Sequence, residues 1–259
     1  MTTHTLSREA EGVIKEYLRL PFPDREIACL YYNNRRRHLR GSLAVLVGKG
    51  RPVDIVDEAA LLARQEKTDL NQLDNQQLKK FLVDHHLGVD CSALVYHVLD
   101  AEARSKKKLP LHKLLFPPPA RTPLGWLRSR LRSMENTSVS VFADEKNSQT
   151  IALEDIQPGD LLIFLRTGEK HDRDHVLLVE AVGDDQPGAK LISYVHSFEW
   201  RSDGRYGREV RRGTIRCVAP GHPLLEQEWQ EKNKLGVENE TWQHAKLADR
   251  LEIRRLRQL

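Results

Sequence analysis

Long apolar runs are missing: no uninterrupted stretch of this 259-residue chain approaches membrane-spanning length, which sets aside a helical span. Cysteine is scarce. Cys29, Cys91 and Cys217 are three in number and far apart, giving neither zinc-type spacing nor a disulfide framework, so a reducing compartment is expected. Cys29 and Cys217 read as inert core residues. Aromatics make up only 6% and do not interleave with the basic runs, and the net charge is a modest +4. A nucleic-acid partner is therefore not expected. Met1-Thr2-Thr3-His4 becomes amphipathic at once and holds no apolar signal core, so the expected location is cytoplasmic, with no membrane partner. Internal repeats are not evident. His171-Asp172-Arg173-Asp174-His175 contains zinc-type ligands but lacks a helical HExxH frame, so no metal and no cofactor are expected.

What is present is a core-forming composition, 39% hydrophobic and 30% charged. Ala10, Val13, Ile14, Tyr17 and Leu18 form one helical stripe, introduced by Ser7 and stopped at Pro21 and Pro23. Pro52 to about Gln65 and Asn75 to about Asp84 read as two more helices. From Lys106 to Thr150 the pattern breaks into an excursion with a short helix, including Pro117-Pro118-Pro119 and the basic segment Trp126 to Arg132. Strands are expected at Leu161–Leu165, His175–Val182, Leu191–Phe198 and Gly213–Ala219, with Gly183–Gly188 as the loop of a hairpin. Helices first and antiparallel strands afterwards predict an α+β fold. Residues 1–222 form the expected domain, with helices over 1–105, the excursion over 106–150 and the sheet over 151–222. Residues 223–259 read as a C-terminal helical appendage, with Arg250, Arg254, Arg255 and Arg257 as a solvated face.

The chain's organising stretch is Gly88 to Glu102. Leu94, Val95, Val98 and Leu99 fall at helical spacing after Asp90, a favourable N-cap, which makes Cys91 the first helical residue and turns it inward. The helix field contributes roughly 0.3–1 kcal/mol, and one pKa unit is about 1.36 kcal/mol. A cysteine there drops by about one unit from about 8.5 and stays mostly a thiol at neutral pH. A nucleophile at Cys91 thus needs a base. By strand alternation His175 shares a side with Leu177 and Val179, and His196 shares one with Ile192, Tyr194 and Phe198. A hairpin sets the two strands side by side, and packing the Cys91 helix on that sheet aligns a nucleophile, a base and an orienting group.

Asp90-Cys91-Ser92-Ala93, Pro158-Gly159-Asp160-Leu161, His175-Val176-Leu177 and Tyr194-Val195-His196-Ser197 occur in the order found in the NlpC-type cysteine peptidases, which the chain resembles over roughly residues 80–220. The resemblance implies a papain-like α+β fold, a Cys91 nucleophile, a His175 base and His196 as third member. It implies a peptide of bacterial cell-wall type as substrate, cleaved through a thioester. Tyr31, in Leu30-Tyr31-Tyr32, matches the family's upstream tyrosine, and backbone N–H groups at the helix start supply the oxyanion site. Ser92 and Asp174 complete the oxyanion and substrate-binding set, with Asp174 expected to raise the His175 pKa by its charge. The chain departs from the family in Ala93 for glycine, in Asp174 for Ser or Thr, in the long stretch between Cys91 and His175, and in lacking the Gly-Gly that follows the upstream tyrosine. Arg35–Arg40 and Lys106–Lys108 read as solvated faces, with attraction of an acidic substrate as the alternative. An acyltransferase or amidase with the same triad, and a catalytically silent scaffold, remain the alternative readings.

Overall fold

The computed structural model describes residues 3–34, 39, 43–117, 132–186, 189–204, 206–219, 221–231, 236 and 239–259. The basic run Arg35–Arg40, apart from Leu39, and most of the segment Trp126 to Arg132 lie outside them. The protein mixes helices with an eight-stranded antiparallel sheet, an α+β arrangement.

Local chemistry explains the first helices. In α1 (Arg8–Leu18) the Ser7 hydroxyl accepts from the Ala10 N–H, with Glu9 and Glu11 in the first turn where the helix field favours them. α2 (Pro52–Glu66) opens on proline, whose missing N–H costs nothing there. In α3 (Asn75–Asp84) Asp74 and Gln77 form a reciprocal capping box, each side chain accepting from the other's backbone N–H at 2.8 Å. α4 (Cys91–Lys107) runs through the core, with Leu94, Val95, Val98 and Leu99 fully buried. Its Glu102, also buried, accepts from the Ser7 N–H at 2.8 Å and pairs with Lys106. That carboxylate ties the cap of α1 to α4.

Among the described residues of the 106–150 excursion are two short α-helices, α5 (Ser133–Asn136) and α6 (Val139–Ala143). Strands β1 to β8 are His4–Thr5, Ser148–Thr150, Leu161–Thr167, Arg173–Gln186, Ala189–Glu199, Arg208–Cys217, Glu228–Trp229 and Arg250–Leu256. They lie in the order β2-β8-β3-β4-β5-β6-β7, with β1 on β4. The expected Gly183–Gly188 loop is mostly strand: Gly183 pairs with Leu191, Asp184 with Lys190 and Gln186 with Ala189, and residues 187–188 lie outside the described set.

Period-two alternation divides the sheet between two cores. Leu161, Ile163, Val176, Leu178 and Val195 pack with α1 and α4. Leu162, Phe164, Leu177, Val179 and Tyr194 pack with Leu224, Trp229 and Ala245, the last from α7 (Glu240–Lys246). Here the expected C-terminal helical appendage is overturned. Among the described residues of 223–259, Leu224, Trp229 and Ala245 pack on the sheet's second face, and β8 inserts between β2 and β3. Nor are Arg254 and Arg255 a solvated face. Arg254 is buried, donating to Ser148 Oγ at 2.7 Å and to Glu252 at 2.8 Å. Arg255 makes a bidentate pair with buried Asp160 at 2.7 and 2.8 Å. Asp160 closes the Pro158-Gly159-Asp160 turn by accepting from Gln157 N–H, and Gly159 there has φ +95°, which suits only glycine.

Candidate active site

The cysteine sits where the sheet opens. Val179 donates to the Asp160 carbonyl and accepts from Gly159 on the β3 side, so alternation turns the Val176 N–H toward β5. The β4–β5 ladder begins only at Leu178↔Val195, which leaves that N–H without a strand partner. The Cys91 sulfur takes the place: backbone N–H groups of Val176 and of Ser92 point at it. Ser197 on β5 fixes the approach, its hydroxyl donating at 2.7 Å to the carbonyl of Val89, two residues before the cysteine.

Asp90 caps α4 as the spacing implies, accepting from Ala93 N–H at 2.7 Å. Buried Lys49 completes the cap, donating to Asp90 at 3.1 Å, Ser92 Oγ at 2.6 Å and the Thr137 carbonyl at 3.1 Å. The Ser92 hydroxyl donates to Asp90 at 2.9 Å, so it belongs to this network and not to an oxyanion site. Only its backbone N–H faces the sulfur. Breaking a buried ion pair from one side leaves an uncompensated charge. Lys49→Met is therefore expected to destabilise the fold by about 3 kcal/mol, read by denaturant unfolding, the low end applying because Asp90 keeps some exposure.

His175 and His196 meet as the strand pattern implies. The register Leu178↔Val195 and Val179↔Tyr194, continued toward the sheet end, sets His196 across from Leu177, two residues from His175 on one face. His175 Nε2 lies 2.9 Å from His196 Nδ1, and both rings are buried. Aromatic rings box them in: Phe198 lies 4.5 Å and Phe164 5.7 Å from the His175 ring, and Tyr194 5.7 Å from His196. Burial holds the His175 imidazolium well below the ordinary histidine range, with the neighbouring His196 and His244 adding to it.

The relay continues into a residue that sequence reasoning missed. His196 Nε2 lies 3.1 Å from both carboxylate oxygens of Glu231, which also accepts from Tyr194 Oη at 2.7 Å. Glu231 is 4% exposed and follows β7, in the charged stretch read as an appendage. Tyr194 reaches it because position 213 is glycine: a Cβ there would lie 2.3 Å from the tyrosine oxygen. A second missed residue is His244 on α7, whose ring is 4.7 Å from Phe198.

Two further sequence expectations fail. Asp174 does not raise the His175 pKa; its carboxylate accepts from Arg166 N–H at 2.9 Å across the β3–β4 turn, on the other side of its strand. Nor does the helix field leave Cys91 more acidic than an ordinary cysteine. Burial, helped by the Asp90 charge, pushes the thiol up to about 12 against the opposing pull of Val176 N–H, Lys49 and Ser92 N–H. Among the described residues no hydrogen bond joins the sulfur to the His175 ring. Tyr31 feels the thiol electrostatically. Its hydroxyl accepts from Asn33 Nδ2, its ring lies 6.3 Å from Phe198, and its ionisation is pushed up by burial and then by Cys91. His171 of the apparent zinc-type cluster binds Asp249 at 2.7 Å. Among the described residues no group of His, Cys, Asp and Glu is placed to hold a metal. No helix among them is long and apolar enough to cross a membrane. Comparison with protein-family models, characterised proteins and solved structures finds no match to this chain.

Proposed function

We propose that the protein is a papain-like cysteine hydrolase that cleaves a peptide amide through a thioester on Cys91. The observation that carries this reading is the buried relay from His175 through His196 to Glu231, set at the sheet opening that the Cys91 sulfur occupies. Relays of this kind orient a base for a nucleophile. The four sequence pieces shared with NlpC-type peptidases make a cell-wall-type peptide the substrate class, and a peptide rich in carboxylates suits the basic runs.

The resting groups are a neutral thiol and a neutral imidazole. On this reading the Cys91 sulfur must leave the Val176 N–H for the His175 ring when substrate binds, a contact of the kind that commonly tightens only in the complex. The ring accepts the thiol proton as sulfur attacks the carbonyl, and returns it to the leaving amine. Backbone N–H groups at the start of α4 and the Tyr31 hydroxyl then face the oxyanion. Water attacks the thioester, with His175 again as base, and frees the acid.

The experiment is incubation with cell-wall-type peptides, following cleavage and an acyl adduct on Cys91 by intact mass. An amine-dependent acyl product in place of hydrolysis reassigns the protein as a transferase. Absence of any adduct, with iodoacetamide reacting as it does with an ordinary thiol, reassigns it as a scaffold.

The acid side of the pH profile follows from His175. Because its folded pKa lies well below 6.5, the base stays unprotonated as pH falls through 6.5, and the acid limb of kcat/KM is expected below that pH. Stability moves in the same window. His97, His175 and His244 all have depressed folded pKa values, so below about 6.5 the unfolded chain binds protons that the folded one refuses. Stability is thus full above 6.5 and falls as pH drops toward the folded values. Urea unfolding at several pH values checks it; a stability that rises on acidification is the contrary result.

A further inference from the structure

The hydrogen bond between two imidazoles leaves open which ring donates, and that choice decides whether His175 can act as a base. The far end of the relay answers it. A carboxylate accepts but cannot donate, so the bond from His196 to Glu231 places a proton on His196 Nε2. In a neutral His196 the other nitrogen, Nδ1, then carries the lone pair. The proton in the 2.9 Å bond consequently belongs to His175 Nε2, and His175 Nδ1 is left as an acceptor. We propose that Glu231 is a positioning residue that fixes the tautomer of both rings and so makes His175 Nδ1 the nitrogen able to take the Cys91 proton.

The surroundings of Glu231 suit that task. Its carboxylate is held by the Tyr194 hydroxyl and lies 3.7 Å from Arg211 Nε. Arg211 is fixed in turn by Asp203 at 2.9 Å and by the Trp200 ring, 4.2 Å from the guanidinium carbon. His196 is fully buried among aromatic rings. A doubly protonated His196 reverses the relay: its Nδ1 donates to His175 Nε2, and His175 Nδ1 then carries a proton and cannot accept one.

As a statement about catalysis this rests on the hydrolase reading; as a statement about protons it does not, and the test uses that difference. The full chain is labelled with 15N-histidine and the imidazole nitrogens are read by NMR, with His175→Gln identifying the signals of that ring. The expected result is a proton on Nε2 of both rings and an unprotonated His175 Nδ1. Glu231→Gln replaces an acceptor with a group that can also donate, and is expected to give a mixed or reversed tautomer with Cys91 alkylation by iodoacetamide slowed about tenfold or more. Tyr194→Phe keeps the carboxylate and is expected to keep the tautomer, which separates Glu231's role from packing. The proposal is overturned by a protonated His175 Nδ1 or a doubly protonated His196 in the unmodified protein, a measurement that needs no variant to fold. It is overturned equally if Glu231→Gln leaves both tautomer and alkylation unchanged. The expected tautomers without turnover of any peptide support the proposal and count against the hydrolase reading. Turnover with the opposite tautomer overturns the proposal and leaves that reading intact.

Discussion

Cys91→Ala is expected to remove peptide cleavage altogether, a loss of about 10⁴-fold or more, while the protein remains folded. The substitution removes one sulfur from a buried helix start, whose cap is made by Asp90, Ser92 and Lys49 and does not involve the thiol. His175→Ala is expected to cost about 10²–10⁴-fold, the usual worth of a positioned general base. The loss is large here because the thiol, pushed up to about 12, carries almost no thiolate of its own at neutral pH. An enzyme whose cysteine is already ionised would suffer less. The double variant Cys91→Ala with His175→Ala is expected to be no worse than Cys91→Ala, since groups that act on one proton do not contribute independently. Steady-state rates together with near-UV circular dichroism check this. Cleavage that survives in Cys91→Ala removes the nucleophile and with it the proposed chemistry.

The features of this molecule legible in the sequence are those specified within a few residues. Ser7, Asp74 and Asp90 cap the helices they precede, and each is followed by apolar residues at helical spacing, so α1, α3 and α4 read directly. Strand alternation likewise put His175 and His196 on one face once a hairpin joined their strands. What failed depended on partners far along the chain. Arg250-Leu251-Glu252-Ile253-Arg254-Arg255-Leu256 looks like an exposed charged stretch, and Arg254 breaks the alternation at a buried position. Its burial depends on Ser148, more than a hundred residues earlier, which accepts from its guanidinium beside Glu252. Glu231 has no local signal at all. The one clue is indirect: a second buried histidine needs an acceptor for its outer nitrogen, which requires a carboxylate or carbonyl somewhere without saying where. The acidity of Cys91 departs from the helix-field expectation for a related reason. The helix field is a local quantity, whereas the desolvation that outweighs it comes from the packed sheet.

Deleting residues 250–259 is expected to prevent folding, where removal of a true helical appendage would lower Tm by only a few degrees. β8 is wedged between β2 and β3, pairing Leu161 to Leu165 on one side and Ser148 to Thr150 on the other. Its loss exposes two edges at once and separates the 106–150 excursion from the sheet. Ile253 and Leu256, both buried, contribute about 1.5–3 kcal/mol each. Arg255 balances buried Asp160, and stranding that carboxylate costs about a further 3–5 kcal/mol. These losses are comparable with the whole stability of a typical domain, about 5–15 kcal/mol. A milder form of the same test is Arg255→Met, expected to destabilise by about 3 kcal/mol because Asp160 keeps its bond to Gln157 N–H but loses both guanidinium contacts. Loss of cooperative thermal unfolding in the truncated chain, beside a measurable Tm shift in Arg255→Met, is the expected pair of results. A truncated chain that unfolds cooperatively near the original Tm shows that β8 contributes no more than an appendage would, and the sheet order β2-β8-β3 is then wrong.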